Sequence, residues 1–98
     1  ADYSESIRLD PESAITYYNR GRAYYNLHEY EKALTDYSEA IRLDPDDADA
    51  YFGRGNTYKQ LKENDKAIAD FKKYLELSDD EYWRNEALKH LEELGVSP

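Results

Sequence analysis

Residues 14–47 read AITYYNRGRAYYNLHEYEKALTDYSEAIRLDPDD and residues 48–81 read ADAYFGRGNTYKQLKENDKAIADFKKYLELSDDE. At an offset of 34 residues, 12 of 34 positions are identical. They are Ala14/Ala48, Tyr17/Tyr51, Arg20/Arg54, Gly21/Gly55, Tyr24/Tyr58, Leu27/Leu61, Glu29/Glu63, Lys32/Lys66, Ala33/Ala67, Asp36/Asp70, Leu43/Leu77 and Asp46/Asp80. Tyr18/Phe52, Leu34/Ile68 and Tyr37/Phe71 are near-swaps. A fixed period of this length marks a stacked helical array, in which neighbouring units bury the apolar face that no unit can bury alone.

Within the first unit, Ala14, Tyr17, Gly21 and Tyr24 recur at three- and four-residue steps and form one stripe of a helix ending near Leu27. After the polar break His28-Glu29, Tyr30, Ala33, Leu34, Tyr37, Ala40 and Ile41 trace a second amphipathic helix to about Leu43. Asp44-Pro45-Asp46-Asp47 stops it, since Pro45 cannot continue a helix and the aspartates can cap the next one. The second unit repeats this plan, with Ala48, Tyr51, Gly55 and Tyr58 on one helix and Ala67, Ile68, Phe71, Tyr74 and Leu75 on the next. Short loops make successive helices antiparallel. The predicted fold is therefore all-α: antiparallel helix-turn-helix repeats stacked as a solenoid of about six helices, including a C-terminal cap.

The ends differ from the middle. Residues 1–12 match residues 35–46 at nine of twelve positions, so the chain is expected to begin with the second helix of a truncated unit. Ser78-Asp79-Asp80-Glu81 has the form of a capping box. It would open a helix with Trp83, Ala87, Leu91 and Leu94 on one face, closed by Gly95. One domain over 1–98 follows: a half-unit at 1–12, units at 13–47 and 48–79, and a capping helix at 80–95. A start without methionine, a half-unit in front and a cap behind suggest the C-terminal end of a longer array.

Composition narrows the function. The formal net charge of −9 argues against nucleic acid, which needs clustered lysine and arginine, and favours basic partners. No apolar run approaches the roughly 20 residues that span a bilayer, so no membrane role is expected. There is no cysteine, which removes disulfide and thiolate chemistry. Compartment is not legible, the cytoplasm being the default expectation.

The whole spacing pattern resembles the tetratricopeptide repeat family. Each unit has an aromatic (Tyr17, Tyr51), a glycine four later (Gly21, Gly55) and a tyrosine three after that (Tyr24, Tyr58). Then come an alanine (Ala33, Ala67), an aromatic four on (Tyr37, Phe71) and, in the first unit, Ala40 and the ending Asp44-Pro45. In the second unit Tyr74 and Asp79 replace Ala40 and Pro45, and His28 and Lys62 stand where the family usually turns on glycine. A mid-helix glycine costs about 1 kcal/mol relative to alanine, so Gly21 and Gly55 are expected to let paired helices approach closely.

The resemblance implies a right-handed superhelix whose concave face, lined by the first helix of each unit, binds a peptide segment of a partner protein. On that face it selects Tyr18, Asn19, Arg22, Tyr25, Asn26, Phe52, Asn56, Lys59 and Gln60, with Ile15 and Asp49 beside them. Tyr18, Tyr25 and Phe52 would be aromatic anchors. Asn19, Asn26, Asn56 and Gln60 would meet backbone amides, and Arg22 and Lys59 an acidic group. Tyr18 and Phe52 could instead wedge between units. One subset of the family grips chaperone C-termini with a lysine–asparagine clamp. Here Tyr18 and Arg22 occupy its first-unit positions, so that activity is not expected.

Metal and cofactor sites are not expected. Asp44, Asp46, Asp47 and Asp49 fail the calcium-loop pattern, because Asp49 and Gly55 stand at its sixth and twelfth places. The chain is not expected to be an enzyme: His28 and His90 lie far apart, and Gly53-Arg54-Gly55 falls inside a helix. A binding module for other proteins or peptides is the leading reading. The alternatives are self-assembly into a homo-oligomer through the Tyr3 and Ile7 face of the N-terminal half-unit, or a regulatory appendage of a larger enzyme.

Overall fold

A computed structural model of the chain describes residues 13–96. Five helices follow one another among these residues: α1 (Ala14–Asn26), α2 (Tyr30–Leu43), α3 (Ala48–Gln60), α4 (Asn64–Leu77) and α5 (Glu81–Glu93). No strand occurs among them. The helix expected over residues 1–12 lies outside the described residues, as does the Tyr3 and Ile7 face.

The chain punctuates its helices by two alternating devices. Helices α1, α3 and α5 begin at side-chain caps: Ser13 accepts from the Thr16 amide, Asp47 from the Asp49 amide and Asp80 from the Trp83 amide. Asp47 thus spends its carboxylate on the start of α3. The capping box expected at Ser78 is displaced by two residues: Asp80 is the cap, and Ser78 Oγ accepts from the Asp80 amide before the helix begins. The ends of α1, α3 and α5 share one closure. The amides of Glu29, Glu63 and Val96 donate to the carbonyls of Tyr24, Tyr58 and Leu91, and the residue before each takes a left-handed conformation. Gly95 adopts φ 93° there, but His28 and Lys62 adopt 62° and 64°. The turn geometry survives the missing glycines, with the backbone strain borne by two ordinary side chains.

Helix pairs α1/α2 and α3/α4 form the two hairpins, α2 packs on α3, and α5 packs on α4. The core runs along the second helix of each unit, where Ala33, Tyr37 and Ala40 and then Ala67, Phe71 and Tyr74 are buried. Ala87 and Leu91 of α5 close the far end against Phe71 and Tyr74. Gly21 and Gly55 serve the expected close approach: a Cβ would lie 3.0 Å from the Tyr37 ring at the first and 3.2 Å from the Phe71 ring at the second. Gly53 is tighter still, with a Cβ only 2.6 Å from Tyr37 Cζ. Tyr37 therefore packs on a glycine of its own hairpin and on one of the next.

Each unit also carries a bidentate ion pair linking its helices. Arg20 Nε and Nη2 donate to Asp36 at 2.6 and 2.8 Å, and Arg54 Nε and Nη2 to Asp70 at 2.8 and 2.9 Å. Asp36 and Asp70 are only 1% and 4% exposed, so each needs its guanidinium. Arg54 Nη1 also donates to Ser38 of the preceding unit at 3.3 Å, joining the two hairpins.

Candidate functional site

Stacking the hairpins sets α1, α3 and α5 side by side, and a groove of about 440 Å³ runs across them. Helix α1 contributes Tyr18, Arg22, Tyr25 and Asn26, and α3 contributes Asp49, Phe52, Gly53 and Asn56. Tyr37 and Tyr74 form the floor, and Trp83 of α5 forms one wall.

The groove is built from interlocked rings. Phe52 lies edge-on to Phe71 (5.5 Å between centroids), Tyr74 (5.1 Å) and Trp83 (5.5 Å). It wedges between the second unit and the cap while still lining the groove, so the two roles weighed for it coexist. Tyr18 is tilted against Tyr37 at 5.8 Å, and Tyr25 meets the Tyr30 edge at 5.4 Å. Such ring pairs add stabilisation of about 0.5–1.5 kcal/mol beyond their buried area, which braces the groove walls against one another.

Burial chiefly pushes the phenol pKa of Tyr18 upward, with the Asp49 carboxylate next in effect. Burial does the same at Tyr25, Tyr37 and Tyr74. All four are therefore neutral O–H groups across the physiological range. The Tyr74 hydroxyl accepts from Ser78 Oγ at 3.2 Å. The Arg22 guanidinium stands 5.8 Å over the Tyr18 ring. Neither Arg22 nor Asp49 makes an ion pair among the described residues.

Six of the nine residues expected on this face converge: Tyr18, Arg22, Tyr25, Asn26, Phe52 and Asn56, with Asp49 beside them. Asn19, Lys59 and Gln60 do not line the groove. Asn19 is half-buried at the repeat position that Gly53 holds in the next unit, and is not among the residues that line this groove. Lys59, in the last turn of α3, is drawn to the cap helix, where it donates to His90 Nδ1 at 3.0 Å and pairs with Glu93. Gln60 lies exposed at the end of α3, near enough to the Tyr25 hydroxyl to act on it. Ile15 stays outside the groove and is 69% exposed.

Sequence reasoning passed over Tyr37, Gly53, Tyr74 and Trp83 as groove residues. Trp83 was the most legible of these, because a capping helix that takes the place of a third unit's first helix continues the inner face. His28 follows α1 in the first unit, and His90 lies on α5. His28 Nδ1 and the Tyr30 hydroxyl are hydrogen-bonded at 2.9 Å in a turn, whereas His90 stacks on Phe71 at 4.7 Å. Among the described residues no group of three metal-ligating side chains comes together, and no helix is long and apolar enough to cross a membrane.

The family model described as TPR repeat matches residues 21–62, and two described as tetratricopeptide repeat match residues 48–80 and 3–35. No curated protein matches the chain. Among solved structures, the TPR domain of Arabidopsis OM64 is 29% identical, with a TM-score of 0.89 over 95% of this chain and 74% of that one. The second TPR domain of human RPAP3, in complex with the HSP70 peptide SGPTIEEVD, is 28% identical with a TM-score of 0.85, over 97% of this chain and 77% of that one. The second TPR of Spaghetti (RPAP3), bound to the HSP90 peptide SRMEEVD, is 33% identical with a TM-score of 0.75, over 78% of this chain and 70% of that one. With tetratricopeptide repeat models matched along its length and a TPR structure that is 33% identical over 70% of its own chain, the chain belongs to the tetratricopeptide repeat family.

Proposed function

We propose that the chain is a protein-interaction module that binds a peptide segment of a partner protein in the groove across α1, α3 and α5. The observation that carries this is the groove itself. Rigid aromatic walls (Tyr18, Tyr25, Phe52, Trp83) alternate with polar groups that can meet a peptide backbone (Asn26, Asn56, the tyrosine hydroxyls). Large rings with few rotatable bonds bury area at low entropic cost, and the amides supply direction. Similar domains bound to HSP70 and HSP90 peptides support peptide capture by this fold. No catalytic role is part of the reading, since His28 serves a turn and His90 serves packing. A groove spanning two units and a cap is short, so an affinity of order micromolar or weaker is expected.

The test is capture of immobilised short peptides, SGPTIEEVD and SRMEEVD among them, by the intact chain and by Tyr18→Ala and Asn56→Ala. Capture of at least one peptide by the parent chain, reduced about tenfold or more in both variants, is expected. Peptides that bind all three proteins equally would place recognition elsewhere and refute the proposal.

A further inference from the structure

The groove has two chemically unlike ends. Near the α1 C-terminus it is polar and carries Arg22, the one cationic side chain among the described lining residues. Towards α5 it is a ring-lined recess formed by Phe52, Tyr74 and Trp83, with the exposed Asp49 carboxylate beside it; Tyr18, with the Arg22 guanidinium 5.8 Å over its ring, marks the passage between the two ends. Trp83 is 46% exposed, a large indole with much of its surface unused by the core. Asp49 is exposed and without an ion pair among the described residues. Two further carboxylates, the helix caps Asp47 and Asp80, lie close enough to act electrostatically on Tyr18 and on Tyr74 respectively, and Asp49 acts on both phenols, against Arg22 at Tyr18 and Arg84 at Tyr74.

We propose that this end of the groove seats a basic side chain, lysine or arginine, of the bound peptide, with its cation over the aromatic rings and paired to Asp49. The inference rests on the peptide-groove reading above and adds the chemistry of the ligand. A cation is attracted to ring faces, to tryptophan most of all, and more strongly where water is partly excluded. The aliphatic stem of lysine or arginine would cover Phe52 and Tyr74 while its head meets the carboxylate. An acidic side chain in the same place would face Asp49, while Arg84, the cation that acts on Tyr74, is committed to the Leu75 and Ser78 carbonyls. The net charge of −9 acts in the same direction at longer range by steering basic segments to the surface.

The experiment pans a displayed library of random peptides on the intact chain near physiological salt. Peptides whose capture is lost in Tyr18→Ala are kept as groove-dependent, and their affinities are then measured by fluorescence polarisation. They are expected to be enriched in lysine and arginine and to bind Asp49→Asn and Trp83→Leu roughly three- to tenfold more weakly. Asp65→Asn, the same change in the first turn of α4, is expected to leave affinity unchanged. Groove-dependent peptides that are acidic or neutral, or equal losses in Asp49→Asn and Asp65→Asn, would overturn the basic-ligand inference while the peptide groove stands. A library yielding no peptide that depends on Tyr18 would overturn both.

Discussion

Replacing Gly53 by alanine sets two known effects against each other. Alanine in mid-helix is favoured over glycine by about 1 kcal/mol, so an unobstructed site would gain that much. The added methyl would instead lie 2.6, 2.7 and 2.9 Å from Cζ, Cε1 and Oη of Tyr37. The ring has little room to retreat: it is only 2% exposed, and it packs so closely on Gly21 as well that a Cβ there would come within 3.0 Å of it. Overpacking in a core costs about 1–3 kcal/mol, and this site belongs at the top of that range. The net expectation for Gly53→Ala is a destabilisation of about 2 kcal/mol after the helix gain is subtracted. At Gly21, where the nearest ring atoms would be 3.0 Å away, the same reasoning leaves about 1 kcal/mol. At Gly55, with Phe71 at 3.2 Å, the two effects nearly cancel.

Urea unfolding followed by circular dichroism gives the three values and their order. A Tyr37→Leu background completes the cycle: without the ring, Gly53→Ala should become stabilising by about 1 kcal/mol. A Gly53→Ala chain as stable as the parent, or an unchanged penalty on the Tyr37→Leu background, would refute the account of how the two units meet.

Two further outcomes are expected. Lys62 is exposed and left-handed (φ 64°), so Lys62→Gly should relieve more strain than it adds in unfolded-chain entropy, a net gain of about 0.5 kcal/mol. The melting midpoint should rise by roughly 2–4 °C, whereas Lys62→Ala should bring no gain. His90 is held below its ordinary pKa by burial first and by Lys59 second, so folding favours its neutral form. That contribution is complete above the unfolded value of about 6.5 and is lost as pH falls through it towards the folded value. Wild type should therefore lose more stability than His90→Phe between pH 7.5 and pH 5. This window lies above that of Glu93, whose carboxyl is held below its ordinary value mainly by Lys59. Parallel losses in the two proteins would contradict the assignment.

The period made the architecture readable because it records a packing demand that both units share. Ala33/Ala67, Tyr37/Phe71 and Gly21/Gly55 recur since each hairpin closes in the same way. What the sequence hid are the contacts made between unlike neighbours. Gly53 has Asn19 as its counterpart and so looked incidental, yet it faces the ring of the preceding unit. Lys59 was assigned to the groove by its place on α3, but a cap helix carrying His90 and Glu93 offered it partners that no repeat supplies. The pairs Arg20/Arg54 and Asp36/Asp70 were visible as identities, but their role was not. Only the fold shows that a sixteen-residue separation spans one hairpin and brings each arginine onto its aspartate.

The ion pair common to both hairpins bears on how near-identical units assemble in the right order. A helix slipped by one turn against its partner would leave a buried carboxylate unmatched, so the arginine–aspartate contact rejects wrong alignments within a hairpin. It is blind to provenance, however, because Arg20 and Arg54 present the same fork and Asp36 and Asp70 the same acceptor. Discrimination between units falls to contacts they do not share, the Lys59 link to the cap and position 53 against its counterpart at 19. Were α1 to take the seat of α3, it would drive an asparagine side chain into the space that the Tyr37 ring fills. Part of the sequential order of the stack is thus written in the absence of a single side chain.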